Sequence, residues 1–325
     1  MVFYLVLAGI FSFFLTYIVR KIAIKKLMFD LPNERSSHTI PTPRGGGIAI
    51  ALTWFLSISI LYYYNQIDKS LFLALFSGLL LSIISLLDDI YTLKNKPRLL
   101  VQAVVSGLGL YFTGGFNSID LGFIVFSNPY VLNVVAFLTI IWFINLFNFI
   151  DGIDGYASSE SIFVIAILYF FTGESFLLFL LMALVGFLPW NWDKAKIFMG
   201  DVGSTLLGYT LIILLFYFHK QHSVSIYEGL VITSLFWFDA TYTLIRRFIN
   251  KENIGQAHRK HAYQRMVQYG FSHQKTVLFG MVINLSFFLL VFLSKEKIIS
   301  DFTGFLLSIF VLFLVVFFVN KKKAF

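Results

Sequence analysis

Amide and carboxylate side chains gathered at the end of an apolar run are the first feature of this sequence that could do chemistry. They lie in NLFNFIDGIDG at 145–155, where Asn145, Asn148 and Asp151 recur every third residue. On a helix such neighbours lie on adjoining parts of one face. Asp154 follows between glycines, which permit a turn close to a ligand. A polar helix end would explain one aspartate and one glycine, so four such groups indicate a functional site at a membrane boundary.

Two adjacent aspartates, Asp88 and Asp89, occur in LLDDIYTLKNKPRLLVQ. Adjacent carboxylates repel each other, and both stay ionised only if a cation or positive side chains neutralise them. Handling of Mg²⁺ or phosphate is one interpretation, and a solvated pair at a helix end is the other. Lys96 and Arg98 follow on the same loop and could hold an anion.

The segment NWDKAKIFMGDVGSTLLG places Asp201 between two glycines at the start of another apolar run. Its carboxylate could cap a helix, with Ser204 as a competing cap. It could equally bind a hard cation, because Mg²⁺ prefers oxygen ligands and leaves room for substrate phosphates. Phe198 is either an ordinary core residue or an aromatic platform for a flat base.

Positive side chains cluster in the loop RRFINKENIGQAHRKHAYQRM. His258, Arg259 and His261 are donors suited to phosphate, and their spacing would bring the two histidines together on one helical turn. A solvated basic loop is the alternative. Three other histidines have no such company and are predicted to be ordinary loop residues, namely His219, His222 and His273.

A glycine run follows Arg44 in DLPNERSSHTIPTPRGGG, which also contains Arg35 and His38. Three consecutive glycines could let the backbone pass close to a phosphate, although such a run is not specific. The sequence contains no Walker A motif and no Rossmann fingerprint. Nucleotide hydrolysis and dinucleotide redox chemistry therefore have no support.

The composition predicts a polytopic membrane protein. Hydrophobic residues make up 58% of the 325 residues, and 13% are charged, against about 25% in a soluble domain. The mean hydropathy is +0.82. There is no cysteine, which excludes disulfides, thiolate metal sites and cysteine nucleophiles. The net charge of +8 does not indicate nucleic acid as a partner, because the positive residues lie in short loops that set membrane topology.

The apolar runs predict an all-α, polytopic membrane helical bundle of about eleven transmembrane helices, with ten possible, in one domain at 1–325. The first run lacks a charged n-region and a cleavage site, so we expect a membrane helix and not a signal peptide. Of the 25 lysines and arginines, 21 fall in one set of loops and the C-terminal tail, and 4 in the other set. The positive-inside rule therefore predicts an outside N-terminus and a cytoplasmic C-terminus. The predicted segments are 2–19, 47–64, 70–87, 99–113, 131–149, 159–172, 176–191, 203–218, 227–245, 275–293 and 302–319.

All of the polar clusters fall on the predicted cytoplasmic side. Carboxylates and cations around one mouth suit metal-assisted phosphoryl transfer. An ion-coupled transporter or lipid flippase is the rival interpretation, but it predicts polar residues at mid-membrane or on both faces. The clusters therefore favour a membrane enzyme with a cytoplasmic active site. Its carboxylates would be Asp88, Asp89, Asp151, Asp154 and Asp201.

In this order the clusters closely resemble those of the polyprenyl-phosphate N-acetylhexosamine-1-phosphate transferases, glycosyltransferase family 4 type enzymes that start bacterial cell-surface glycans. The resemblance runs from about Asp30 to Gln264 and rests on PTPRGGG, LLDD, NLFNFIDGIDG and FMGDVGS. It implies transfer of a sugar 1-phosphate from a UDP-N-acetylhexosamine to a polyprenyl phosphate in the cytoplasmic (inner) membrane, with release of UMP. It also implies Mg²⁺ as the cofactor, with Mn²⁺ as a substitute, and is compatible with a homodimer.

Residue by residue, the resemblance makes Asp201 the Mg²⁺ ligand and assigns catalytic roles to four other carboxylates. Asp88 and Asp89 would be the pair near the lipid phosphate, and Asp151 and Asp154 would line the nucleotide-sugar pocket. The other expected binding residues are Arg44, Lys96, Arg98, Asn148, Phe198, His258, Arg259 and His261, with Phe198 against the uracil and the histidines near the diphosphate.

The last loop departs from part of that family. The enzyme that uses UDP-MurNAc-pentapeptide carries consecutive histidines there, and the enteric and teichoic-acid type enzymes have a His-x-His-His pattern. The segment AHRKHAYQ is similar to the O-antigen and capsule branch, which uses deoxy-N-acetylhexosamines such as FucNAc or QuiNAc. We therefore expect a deoxy sugar, with a UDP-GlcNAc-specific enzyme as the alternative.

Overall fold

The computed structural model describes residues 1–32, 37–38, 40–91, 93–253 and 258–325. Within those ranges the chain forms a bundle of fourteen helices, accompanied by two antiparallel strand pairs of two residues each. The helices are α1 Val2–Lys25, α2 Gly47–Tyr63, α3 Lys69–Phe76, α4 Leu79–Tyr91, α5 Asn95–Thr113, α6 Pro129–Ile150, α7 Tyr156–Thr172, α8 Leu177–Asn191, α9 Gly200–Lys220, α10 Ile226–Ile232, α11 Ser234–Ile249, α12 Ala262–Tyr269, α13 His273–Lys295 and α14 Asp301–Lys322. The strands are β1 Phe29–Asp30 paired with β2 Thr42–Pro43, and β3 Ile119–Asp120 paired with β4 Val125–Phe126.

The predicted all-α, polytopic architecture is confirmed. Each of the apolar segments predicted from the sequence coincides with one helix or with two consecutive helices. Six stretches in the described residues are long and apolar enough to cross a membrane, counting α3 and α4 as one, and α2, α7 and α8 are shorter apolar helices. The predicted ninth segment is interrupted at Thr233, between α10 and α11. The number of membrane crossings stays a prediction.

Helix α9 lies at the centre of the bundle, and most of its residues are buried. Glycines allow neighbouring backbones to approach it closely. A Cβ built on Gly208 would lie 2.6 Å from the carbonyl oxygen of Phe143 on α6. A Cβ on Gly47 of α2 would lie 2.2 Å from the backbone nitrogen of Gly203 on α9. These contacts replace side-chain packing with backbone packing, as small residues do between membrane helices.

The carboxylate-bearing ends of several elements meet at one end of the bundle. Asp89 lies near the end of α4, Asp151 follows α6, and Asp201 lies in the first turn of α9. Backbone hydrogen bonds join the glycine run to the start of α9, because the N–H groups of Gly46 and Gly47 donate to the carbonyls of Phe198 and Met199 at 2.9 and 2.8 Å. The placement of polar clusters at one face, which the loops predicted, is therefore observed. Which face is cytoplasmic stays a prediction from loop charge.

We predict that Gly47→Ala lowers the thermal unfolding temperature of the detergent-purified protein, because the added methyl group would collide with the backbone of Gly203. Overpacking of this kind typically costs about 1–3 kcal/mol. Gly107→Ala is the matched control, since a Cβ there meets nothing within 4 Å. It should leave the unfolding temperature unchanged or raise it. Equal losses in the two variants would contradict the close α2–α9 contact.

Candidate active site

A cavity of about 680 Å³ opens where these helix ends meet. It collects side chains from every predicted cluster except the basic loop cluster at 258–261. Seven of the predicted site residues line it, namely Arg44, Asp89, Asn148, Asp151, Asp154, Phe198 and Asp201. The lining also contains His38, Asn191, Gln264 and His273. The sequence analysis therefore named seven of the seventeen residues that line the cavity.

Arg98 pairs with two of the predicted carboxylates, Asp88 and Asp201, which lie 113 residues apart in the sequence. Its Nη1 lies 2.7 Å from Asp88 Oδ2, and its Nη2 donates to Asp201 Oδ2 at 2.9 Å. Asp88 also accepts the backbone N–H of Leu93 at 2.6 Å through Oδ1. Asp88 is thus fully engaged with protein donors, and it is not among the residues that line the cavity.

Asp89 is placed differently from its neighbour. Its side chain is 4% exposed, and Arg44 Nη1 lies 3.7 Å from Oδ1. Arg44 Nη2 also donates to the Asp89 carbonyl at 2.7 Å, so one guanidinium holds both the main chain and the carboxylate. The other oxygen, Oδ2, is buried and has no hydrogen-bond partner. Gly200, at a φ of +73°, passes close to it, and a Cβ there would lie 3.1 Å from Oδ2.

The donor set of the cavity fits a hard divalent cation. Asp89, Asp151 and Asp201 offer carboxylate oxygens into one space, and Asp89 Oδ2 is a buried acceptor without a hydrogen-bond partner. Among the described residues, the one group of three whose ligand atoms lie within 4.8 Å of one another is a different group, Asp154 with Asp193 and His273. An open carboxylate set suits Mg²⁺, which uses one or two protein carboxylates and completes its shell with water and substrate phosphates.

The turn after α6 presents Asp151 and Asp154 to the cavity. Gly155 has a φ of +74°, a conformation that glycine adopts without strain. Its N–H donates to Asn191 Oδ1 at 3.2 Å. Limited solvation raises the pKa of Asp151 well above its ordinary value, and the charges of Asp201 and Asp154 raise it further. A cation or a donor near Asp151 would therefore be needed to keep it ionised at neutral pH.

Asp154 is nearly buried, at 7% exposure. Its Oδ2 accepts the backbone N–H of Ala195 at 3.1 Å and lies 3.2 Å from His273 Nδ1. Its Oδ1 is buried and has no hydrogen-bond partner. Phe198 lines the same cavity, and its ring centroid lies 4.8 Å from that of His38 in an edge-on arrangement. This part of the wall therefore offers an aromatic face and an acceptor for an N–H group.

Several cavity residues were missed by the sequence analysis. The prediction that His273 is an ordinary loop residue is wrong, because it is the first residue of α13 and lines the cavity. Ser272 caps that helix by accepting the N–H of Lys275 at 3.2 Å, so a capping serine before an apolar run was the signal that could have placed the helix start two residues earlier. Asn191 and Gln264 carried no comparable signal.

Comparison with known proteins identifies the family. Residues 71–219, which contain all five predicted carboxylates, match Glycosyl transferase family 4. The chain is 30% identical over 320 residues to the probable undecaprenyl-phosphate N-acetylglucosaminyl 1-phosphate transferase of Bacillus subtilis, covering 94% of this chain and 86% of that protein. The chain belongs to glycosyl transferase family 4.

Two further relatives are similar over most of their length. An undecaprenyl-phosphate alpha-N-acetylglucosaminyl 1-phosphate transferase of Thermotoga maritima is 31% identical over 288 residues, or 85% of this chain and 87% of that one. The protein of the same description from Escherichia coli K12 is 30% identical over 329 residues, or 95% and 87%. The likeness thus extends beyond the matched family region to the glycine run and the last loop.

In this family 4 protein the basic cluster lies beside the cavity and not in its wall. His258 and His261 have ring centroids 4.8 Å apart, but neither is among the residues that line the cavity, and neither is Arg259. His261 is buried, and the next residue, Ala262, donates its N–H to both carboxylate oxygens of Asp239 at 2.8 and 3.0 Å. Lys96 is exposed in the first turn of α5 and is also absent from the lining. Their predicted substrate contacts stay predictions.

Gln264 is the residue of this loop that reaches the cavity. Its Oε1 accepts the N–H of His261 at 3.3 Å, and the side chain is largely buried. Its Nε2 lies beside the turn, 3.1 Å from a Cβ built on Gly152. The loop of this family member therefore contributes an amide to the wall while its histidines pack behind it.

Both histidines are neutral at neutral pH. Burial lowers the pKa of His261 to about 4, a shift that a backbone hydrogen bond with Asp239 opposes and the charge of Arg247 assists. Burial, followed by His261 and Arg247, lowers the pKa of His258 to about 3. An anion bound beside these rings, such as a diphosphate, would raise their pKa and favour the protonated form.

We predict that His261→Gln reduces the loss of thermal stability on acidification. The unfolded chain binds a proton at His261 below about pH 6.5, whereas the folded chain binds it only below about pH 4. Stability from this group is therefore complete above pH 6.5 and falls as the pH decreases toward 4. The drop in unfolding temperature from pH 7 to pH 5 should be smaller in the variant than in the wild type. An identical drop would show that His261 is protonated equally in both states.

Proposed function

We propose that this protein transfers an N-acetylhexosamine 1-phosphate from a UDP-sugar to a polyprenyl phosphate, giving a polyprenyl-diphospho-sugar and UMP. The observation that carries the proposal is the cavity at one end of an apolar bundle, where five aspartates and Arg44 line one space and Arg98 pairs with one of those aspartates, Asp201. The relatives named above act on undecaprenyl phosphate and N-acetylglucosaminyl 1-phosphate by their descriptions. The product would start a cell-surface glycan such as O-antigen, capsule or teichoic acid.

The arrangement argues against an ion-coupled transporter or flippase. A transporter would gather its polar groups near the middle of discontinuous helices. Glu160 is a buried carboxylate within α7, but Asn284 donates to its Oε2 at 2.7 Å, and it does not line the cavity. The carboxylates that share a space are instead those at the helix ends.

The reaction is a displacement at phosphorus. A phosphate oxygen of the polyprenyl phosphate forms a bond to the β-phosphorus of the UDP-sugar, and the bond from that phosphorus to the oxygen bridging the α-phosphate breaks. That oxygen leaves with UMP, together with the electron pair of the broken bond. The lipid phosphate monoester is already largely ionised at neutral pH, because its second pKa is about 6. A strong general base is therefore not required.

The residues of the chain would act by neutralising and holding charge. Arg98 and Arg44 lie beside carboxylates that line the cavity, where an incoming phosphate would also be attracted. Mg²⁺, which Asp201 would hold with Asp89 and Asp151 nearby, would neutralise the diphosphate. Asp88 is held by Arg98 and the Leu93 N–H, so its role in this scheme is to fix the guanidinium.

The nucleoside would lie against the other side of the cavity. Phe198 offers an aromatic face and the unpaired Asp154 Oδ1 offers an acceptor for a ring N–H. Asn148 lines the same space beside Asp201. Phe198 and Asp154 can both be satisfied by one planar base with a ring N–H, which supports a nucleotide donor.

The sugar has two candidates, each favoured by a specific observation. The descriptions of the relatives favour N-acetylglucosamine. The AHRKHAYQ segment favours a deoxy-N-acetylhexosamine, because it departs from the His-x-His-His pattern of the enteric and teichoic-acid type enzymes. Loop charge supports a cytoplasmic cavity in the inner membrane, with the N-terminus outside.

We predict Mg²⁺-dependent and lipid-dependent UMP release by the detergent-purified protein. Undecaprenyl phosphate would be supplied with UDP-GlcNAc, UDP-GalNAc, UDP-FucNAc or UDP-QuiNAc in separate reactions, and Mn²⁺ should partly replace Mg²⁺. Asp201→Asn should lower the rate by roughly a hundredfold or more, because a group that stabilises the charge of the reacting phosphates is lost.

Asp68→Asn is the matched control for that experiment. Asp68 caps α3 by accepting the Leu71 N–H at 2.8 Å, at the opposite end of the bundle, and asparagine caps a helix equally well. Its activity should equal that of the wild type. If the protein is folded and the donors are intact but no UMP is released from any of the four sugars, this set of donors is rejected and the transporter interpretation is reopened.

We predict different defects for the two adjacent aspartates. Asp88→Asn should retain measurable turnover with a raised KM for undecaprenyl phosphate, because the amide still accepts the Leu93 N–H but no longer pairs with the charge of Arg98. Asp89→Asn should lower kcat more strongly, because Asp89 lines the cavity. The measurement is UMP release against lipid concentration from pH 6 to 8. Complete loss of turnover in Asp88→Asn at every pH, with normal lipid binding, would make Asp88 an obligatory base.

A further inference from the structure

We propose that His273 is a positioning residue, which orients Asp154 for binding of the donor nucleotide. The proposal rests on the proposed function, in which Asp154 belongs to the nucleotide-sugar pocket. Its basis is the contact between the first residue of α13 and the turn that follows α6, two elements 119 residues apart in sequence. His273 would act through Asp154 and would not touch the reacting phosphates.

One ring atom of His273 faces two groups of Asp154. Nδ1 lies 3.3 Å from the backbone nitrogen of Asp154 and 3.2 Å from its Oδ2. An unprotonated Nδ1 accepts the backbone N–H, and a protonated Nδ1 donates to the carboxylate. The form with a proton on Nδ1 therefore fixes the carboxylate, and the form without it holds the main chain of the same residue.

The contact leaves one defined oxygen for a ligand. Oδ2 is occupied by His273 and by the N–H of Ala195. Oδ1 is buried and has no hydrogen-bond partner. Two contacts on one oxygen restrict rotation of the carboxylate, so Oδ1 keeps a fixed direction. A buried acceptor in a fixed direction binds a donor with less loss of conformational freedom than a mobile one.

Helix α13 is anchored independently of this contact. Ser272 caps its first turn, and Asn284, twelve residues further on, donates to Glu160 of α7 at 2.7 Å. Gly280 lies between these points, and a Cβ built on it would lie 3.1 Å from Glu160 Oε1, so the two helices are in close contact there. Removing the imidazole should therefore loosen Asp154 without moving α13.

The nearby carboxylate of Asp193 raises a different possibility. One ligand atom each from Asp154, Asp193 and His273 lie within 4.8 Å of one another, which is the spacing of a cation site. The hydrogen-bond geometry between Nδ1 and Asp154 favours the positioning role, because this nitrogen already faces protein groups. The two roles differ in which substitute for histidine restores function.

The test uses three variants of the full-length protein in detergent. His273→Ala should raise KM for the UDP-sugar about tenfold while kcat and KM for undecaprenyl phosphate stay within twofold of the wild type. His273→Asn should restore most of the donor affinity, because its side-chain nitrogen lies near the position of Nδ1. His273→Gln should not, since its amide matches the more distant ring nitrogen. Direct titration with UMP should show the same order of affinities.

Asn284→Ala is the control for a merely structural effect. Asn284 lies on the same helix as His273, and the substitution removes its hydrogen bond to Glu160 of α7, away from the cavity. It should lower the unfolding temperature without changing the KM for the donor.

Two results for His273→Ala and its rescue would overturn the positioning role: an equal increase in KM for the donor and for the lipid, or no recovery of donor affinity in His273→Asn. If the wild type binds Mn²⁺ or Zn²⁺ and all three variants lose it, Asp154, Asp193 and His273 form a cation site instead. Absence of UMP release by the wild type would reject the proposed function, whereas an active wild type with unchanged donor KM in His273→Ala would reject only this inference.

Discussion

Repulsion among carboxylates is the constraint on which the rest of this structure depends. Two unit charges 4 Å apart interact by about 4 kcal/mol at an effective dielectric constant of 20, which is a large part of the ~5–15 kcal/mol that stabilises a typical fold. Arg98 lies between Asp88 and Asp201, and Arg44 lies against Asp89. Each arginine also joins elements that are distant in sequence. The interactions that balance the charge are therefore the same ones that hold the helix ends together.

This balance requires close contact between backbones. Arg98 can reach both carboxylates only if the C-terminal end of α4 and the N-terminal ends of α5 and α9 lie near one another. Arg44 and the glycine run that follows it must lie beside these ends as well. Hydrogen bonds from Gly46 and Gly47 to the segment before Asp201 hold the run there. A side chain at Gly47 would separate these backbones. The glycine run is thus explained by helix packing as well as by any contact with phosphate.

The sequence predicted the architecture and much of the cavity, for reasons that differ. Apolar length is fixed by the thickness of a bilayer, so the helical segments could be placed within a few residues. The carboxylates were identified because charge at the end of an apolar run is costly without a partner. The choice between Asp88 and Asp89 could not be made, because successive residues on a helix point about 100° apart and the packing of α4 decides which one faces the cavity.

Other site residues were beyond sequence analysis because tertiary contacts alone give them their position. Asn191 enters the site by accepting the Gly155 N–H from a different helix. His273 is one of three histidines that looked alike, and only the docking of α13 beside the turn at Asp154 separates it from His219 and His222. The spacing of His258 and His261 did bring the two rings together, but a spacing suited to a ligand also suits two rings that pack on each other, so their substrate contacts stay a prediction.

The anchoring of the last loop shows how one part of the cavity wall can change while the charge balance of the cavity is kept. Asp239 of α11 accepts the N–H of Ala262 with both oxygens, which fixes the start of α12 through its backbone. A backbone contact does not depend on which side chains the loop carries. Gln264 then extends from this fixed point to the cavity, beside Gly152. Arg98 and Arg44 belong to other elements and make none of these contacts. Substitutions in the loop can therefore alter the wall beside Gly152 without disturbing the charge balance around Asp89 and Asp201.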